Sequence, residues 1–125
     1  MNDALLRLIL IFISIITCTS GLAQLFAGEF VLSQIATSQT PSEIHLFQTV
    51  GMFMVITGAM FLQSLWSRSN ELAIPLWIAV QKFAAAILVF IAWQKGFFVA
   101  MALGVAAFDG VTGLLSIIFW KRLQR

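Results

Sequence analysis

The sequence predicts an all-α integral membrane protein, a four-helix bundle formed by a single domain over residues 1–125. Hydrophobic residues make up 61% of the chain, charged residues make up only 10%, and the mean hydropathy is +1.01. A water-soluble domain of this length could not bury so much apolar surface. Four stretches are long enough for the roughly 20 apolar residues that a helix needs to cross the hydrocarbon core. None has the strict alternation of a membrane β-barrel strand.

The first predicted span covers residues 5–27, where Arg7 precedes a long apolar run. A cleaved signal peptide is the alternative, because Cys18 lies in a weak resemblance to a lipoprotein cleavage site. The apolar run continues to Phe26, which is longer than the roughly 7–15 apolar residues of a signal peptide. We therefore expect this segment to remain as a helix, followed by a sizeable loop over residues 27–40.

The second predicted span covers residues 43–66 and has a strong start signal. Thr40 and Glu43 have the spacing of a capping box, in which each side chain accepts a hydrogen bond from the backbone amide of the other residue. Pro41 suits the first helical position, because proline has no amide hydrogen to leave unpaired.

The third and fourth predicted spans cover residues 72–94 and 97–120. Asn70 is expected to cap the third helix. Gly96 suits the left-handed backbone conformation that often ends a helix. The tight break at Gly96 predicts that these two helices form an antiparallel hairpin.

The positive charges predict the orientation of the bundle. Those on one predicted side are Arg7, Arg68, Lys121, Arg122 and Arg125. Only Lys95 lies on the other side. Because basic residues concentrate on the cytoplasmic side of membrane proteins, both termini are predicted to be cytoplasmic.

Lys82 and Asp109 are ionisable residues inside the third and fourth spans. They are separated from Gly96 by nearly equal numbers of residues, so a constant rise per residue places them at one depth. Each charge alone would cost about 2.5–3.5 kcal/mol at the centre of a membrane helix. We therefore expect the two side chains to face each other and to form an intramembrane polar pair.

Three interpretations of this pair remain open. It could be structural and fix the register of the helices. It could instead be a proton or anion binding point on a transport pathway. In the third interpretation, Lys82 extends towards the headgroups and does not meet Asp109.

His45, Gln48 and Gln24 are predicted to lie in the same outer half of the bundle. They form a candidate ligand site for a quinone, haem, pigment or lipid near His45. The alternative is a solvated interfacial histidine, with both glutamines used in helix packing. One histidine and one cysteine cannot build a multi-histidine or thiolate cage, so no metal site is predicted.

Two segments resemble a known family. The first span, LLRLILIFISIITCTSGLAQLF, is similar to the first helix of the DoxX-like membrane proteins. The second span, HLFQTVGMFMVITGAMFL, is similar to theirs through Gly51 and Gly58. The resemblance implies a small bundle in the bacterial inner (plasma) membrane, linked in some members to quinone-dependent oxidation. His45 and Gln48 stand where the family would have an acidic residue, so no catalytic residue is transferred.

The residues favour one function class and leave a second open. No nucleophile, base and acid are spaced as a catalytic set, so an enzyme is not expected. The net charge of +2 does not suggest a nucleic-acid partner. We expect an accessory or structural subunit that docks on a larger membrane complex, including a redox or quinone-linked one, or on a copy of itself. The alternative is a small proton- or ion-coupled transporter that uses Lys82 and Asp109 as a homodimer.

Overall fold

The computed structural model describes all 125 residues and contains five α-helices and no β-strand. The helices are α1 (Asp3–Phe26), α2 (Gly28–Ile35), α3 (Pro41–Trp66), α4 (Ala73–Gln94) and α5 (Ala102–Leu123). Four of them, α1, α3, α4 and α5, are long and apolar enough to cross a membrane. The predicted all-α fold with four spans is confirmed, and the protein is an integral membrane protein.

The predicted capping box at the start of α3 is present. The Thr40 hydroxyl oxygen accepts a hydrogen bond from the Glu43 amide at 3.3 Å, and the Glu43 carboxylate accepts one from the Thr40 amide at 2.8 Å. Pro41 is the first residue of α3. These contacts satisfy amides that a helix N-terminus otherwise leaves unpaired.

The expected cap of α4 by Asn70 is wrong. The helix begins at Ala73, so Asn70 lies too far before its first turn to cap it. Ser69 and Glu71 stabilise this entry instead. The Ser69 hydroxyl accepts a hydrogen bond from the Glu71 amide at 3.1 Å, and the Glu71 carboxylate accepts one from the Ala73 amide at 3.2 Å.

The prediction of a single sizeable loop over residues 27–40 is wrong in its first part, because α2 occupies residues 28–35. Only Ala27 separates α1 from α2. Gly28 and Leu32 are the buried residues of α2. They lie four positions apart, which places them on one face of the helix against the rest of the bundle.

The fourth span starts at Ala102, five residues later than predicted from position 97. The residues after Gly96 pair with the end of α2 instead of starting a helix. The Val99 amide donates to the Ile35 carbonyl at 2.7 Å, and the Thr37 amide donates to the Phe97 carbonyl at 3.0 Å. Gly96 itself has φ +79°, as expected for a left-handed helix end.

The four spans pack as two pairs, α1 with α3 and α4 with α5, and further contacts of α1 with α5 and of α3 with α4 close the bundle. The α1 and α3 backbones approach closely at glycines. A Cβ atom on Gly51 would lie 2.8 Å from the Gly21 carbonyl oxygen, and one on Gly58 would lie 2.9 Å from the Cys18 sulfur. Such close backbone contact is the usual basis of helix association in lipid.

The two ends of the bundle differ in what fills them. We call the end that carries both chain termini the terminal end, and the end formed by α2 and residues 95–101 the loop end. The core lies towards the terminal end and consists of Leu6, Leu10, Phe61, Leu65, Ile78 and Phe119. Arg7 covers this core, because its guanidinium donates to the Leu65 carbonyl at 2.9 Å and lies 5.2 Å from the centre of the Phe119 ring.

Candidate functional site

Lys82 on α4 and Asp109 on α5 meet in the interior of the bundle. The lysine Nζ lies 2.9 Å from the aspartate Oδ1, and the two side chains are only 9% and 13% exposed. The expected contact between them is confirmed. The interpretation in which Lys82 extends towards the headgroups is wrong, because Asp109 holds its ammonium group inside the bundle.

The ammonium group of Lys82 also reaches the other helix pair. Its Nζ lies 3.5 Å from the hydroxyl oxygen of Thr17 on α1, a long and therefore weak hydrogen bond. It lies 5.7 Å from the centre of the Phe108 ring. The ion pair thus links α4, α5 and α1, although the sequence predicts a contact of α4 with α5 alone.

Further polar side chains surround the ion pair and form a polar layer between the terminal-end core and the loop end. Its buried members besides the ion pair are Ser14, Thr17 and Thr112, which line one cavity together with Lys82. Gln81 borders the layer and donates from Nε2 to the Thr57 hydroxyl at 3.4 Å. The Gln81 Oε1 and Ser116 Oγ atoms are shielded from solvent and have no hydrogen-bond partner. Buried polar atoms of this kind usually are paired. Gln81 is thus an exception beside the ion pair, and Ser116 is another about two helical turns from Asp109 on α5.

A small cavity lies beside the ion pair. Its lining includes Thr17, Thr57, Gln81 and Lys82, and its volume is about 10 Å³. This is close to the ~10–15 Å³ that one water molecule requires. The cavity therefore cannot accept an organic ligand.

The candidate ligand residues Gln24, Gln48 and His45 do not converge on one point. Gln24 is buried, and its Nε2 donates a hydrogen bond to the Phe47 carbonyl at 2.8 Å, which links α1 to α3. His45 is exposed, and its side chain makes no hydrogen bond in the structure. Of the three residues, only Gln48 lines the pocket at the loop end. No group of three or more His, Cys, Asp or Glu side chains is placed to hold a metal ion.

The loop-end pocket is the larger concavity, with a volume of about 560 Å³. Its side chains are those of Phe26, Ala27, Glu29, Phe30, Ser33, Gln39 and Gln48. Most of them come from α2 and the segments on either side of it. The sequence does not predict this pocket, since α2 itself is not expected.

Three comparisons with known proteins were negative. No protein-family model, curated protein or solved structure matched the chain.

Proposed function

We propose that this protein is a small accessory subunit of the bacterial inner membrane, with both termini in the cytoplasm, that docks on a larger membrane complex. The observation that carries the proposal is the closed contact of Lys82 with Asp109, supplemented by Thr17. Both intramembrane charges are used to join helices of the bundle itself. A buried pair of this kind is well suited to fixing one helix arrangement.

The outer surface of the bundle supports docking within the membrane. Large apolar side chains are exposed on all four spans, among them Phe12, Phe53, Leu88 and Leu114. The connections between the spans are short, and the longest contains α2. The protein thus has mainly lipid-facing helices to offer to a partner. The resemblance of the first two spans to DoxX-like proteins is the reason to seek that partner among redox or quinone-linked complexes.

A homodimeric proton- or ion-coupled transporter is the second candidate. The unpaired Gln81 Oε1 atom beside the ion pair favours it. In a second conformation this oxygen would accept a hydrogen bond from a protonated group on the transport pathway. The cavity of about 10 Å³ argues against a resting pathway for anything larger than water.

Gentle detergent extraction from native membranes tests the proposal. A tagged chain is expected to migrate with a much larger assembly, and mass spectrometry of that band identifies the partner. The control is the same extract in a denaturing detergent, where the chain should migrate alone. Recovery only as an isolated dimer would contradict the subunit proposal.

The double variant Lys82→Met with Asp109→Leu separates the two candidates. It removes both charges and keeps side chains of similar length in the bundle. An accessory subunit should still migrate with its partner when it carries both changes. A transporter that uses the pair should lose ion-coupled uptake in proteoliposomes while it remains folded and dimeric.

A further inference from the structure

We propose that the loop end of the bundle is a gate that opens to water, while the terminal end stays closed. The α1–α3 pair and the α4–α5 pair separate at the loop end, and water then reaches the Lys82–Asp109 contact. Two connecting segments, residues 35–37 and 97–99, hold the gate shut, and we call them the latch. The gate is independent of the accessory-subunit proposal, because it concerns contacts within one chain.

The latch joins the two helix pairs by hydrogen bonds at the surface. Ala36 and Phe98 lie opposite each other in a short antiparallel bridge, which is flanked by backbone hydrogen bonds of 2.7 and 3.0 Å. The Thr37 hydroxyl also donates to the Gly96 carbonyl at 2.9 Å. Because Thr37 is exposed, water competes for these bonds, and the latch can open without unfolding a helix.

The terminal half of the bundle is held closed by large apolar side chains from all four spans. They are at most 4% exposed and form one cluster, which consists of Leu6 and Leu10 of α1, Phe61 and Leu65 of α3, Ile78 of α4 and Phe119 of α5. Separation of the spans at this end would break the close packing of all six side chains. The cluster therefore serves as the hinge of the gate.

The loop-end half of α4 has no comparable packing. No residue of α4 is buried after Lys82, although the helix continues for roughly three turns to Gln94. The face that carries Lys82 continues through Ala86 and Val89, and both are only half-buried. Few buried apolar contacts are typical of regions that open locally.

The contacts inside each helix pair survive this movement. Gly21 and Gln24 are the buried residues of α1 beyond Thr17, and both contact α3, the partner of α1 within its pair. Lys82 and Asp109 also remain together, because both belong to the α4–α5 pair. Opening therefore costs mainly the latch and the contacts between the pairs.

The contacts between the pairs at the level of the ion pair are weak. The Lys82 Nζ lies 3.5 Å from the Thr17 hydroxyl, and the Gln81 Nε2 lies 3.4 Å from the Thr57 hydroxyl. Both are long hydrogen bonds that water can replace. Water that enters through the open gate also donates to the Gln81 Oε1 atom, which has no donor in the closed bundle. Opening thus removes the cost of an unsatisfied buried acceptor.

Cysteine accessibility in lipid nanodiscs, where both ends of the protein meet water, tests the gate. Ala86→Cys and Ala79→Cys each place one thiol about one helical turn from Lys82, the first towards the loop end and the second towards the terminal end. Both are made in a Cys18→Ala background. Reaction with a membrane-impermeant methanethiosulfonate reagent is followed by mass spectrometry. We expect position 86 to react and position 79 to stay protected.

Variants of Thr37 connect this reaction to the latch. Thr37→Val removes the hydroxyl with little change of shape and should raise the reaction rate at position 86 about fivefold, the effect of one lost hydrogen bond. Thr37→Ser keeps a hydroxyl and should react at the unmodified rate. Circular dichroism checks that each variant is helical.

Two results would overturn the gate. One is equal reaction at positions 79 and 86, whether fast or absent, since water access would then not differ between the two ends. The other is an unchanged rate at position 86 in a folded Thr37→Val variant, because exposure of that position would then not depend on the latch.

Discussion

The Lys82–Asp109 contact leads to a quantitative prediction about single and double replacements. Lys82→Met leaves the Asp109 carboxylate without its partner, and Asp109→Leu leaves the ammonium without its partner. The double change removes both charges at once. We expect each single variant to be strongly destabilised and the double variant to be close to the unmodified protein.

The magnitude follows from the burial of the pair. Hydrogen bonds between neutral groups in membrane bundles contribute only about 0.6 kcal/mol on average. An unpaired charge at a helix centre costs about 2.5–3.5 kcal/mol. Because the two side chains are only 9% and 13% exposed, this cost exceeds the loss of the hydrogen bond itself. Each single change should therefore lower the free energy of unfolding by about 3 kcal/mol, and the double change by about 1 kcal/mol or less.

Reversible unfolding in mixed micelles, with increasing SDS and helicity followed by circular dichroism, measures these energies. The four proteins form a double-mutant cycle, in which these losses correspond to a coupling of about 5 kcal/mol between positions 82 and 109. A Leu88→Ala change on the lipid-facing surface is the control and should show no coupling to either position. If the two single effects simply add in the double variant, the contact does not stabilise the bundle and the reasoning fails.

Three further predictions concern glycine packing, the α3 cap and His45. Gly51→Ala should destabilise the bundle by about 1–3 kcal/mol, because the new Cβ would lie 2.8 Å from the Gly21 carbonyl. Gly104→Ala is its matched control, since a Cβ atom on Gly104 meets nothing within 4 Å. Equal SDS unfolding curves for these two variants would contradict close packing of α1 with α3. Thr40→Ala should cost about 1 kcal/mol in the same assay, because its hydroxyl accepts a hydrogen bond from an α3 amide at 3.3 Å; an unchanged midpoint would mean that the cap is not used. His45→Ala should leave unfolding unchanged, since the side chain is exposed and makes no hydrogen bond, and loss of bound colour or quinone from the purified variant would instead support a cofactor at this position.

Local signals in the sequence were sufficient for the spans and some of their ends. Hydropathy indicated four helices because a bilayer demands long apolar segments, and the structure has four such helices. The capping box at Thr40 and the left-handed Gly96 were also predictable, since both depend on a few neighbouring residues. Asn70 was misjudged because Ser69 and Glu71 stabilise the helix entry instead.

The candidate sites were predictable only in part. The contact of Lys82 with Asp109 followed from their equal depth, because a helix advances by a constant rise per residue. The loop-end pocket did not follow, because it depends on α2. An isolated helix of eight residues is too short to be stable in water. Burial of Leu32 against the bundle supplies the stabilisation that this short helix cannot provide by itself.

Composition and helical geometry were enough to predict four membrane-spanning helices and two intramembrane charges at one depth. Hydrophobicity and helical rise are properties of each segment alone, so they can be read without knowing the neighbours. The packed bundle was needed to show that Thr17 contacts the ion pair, that His45 is exposed, and that Gln39 lines a pocket with Glu29. These outcomes depend on the rotation of each helix about its axis and on pairing between distant segments, which are set by side-chain packing across the whole bundle.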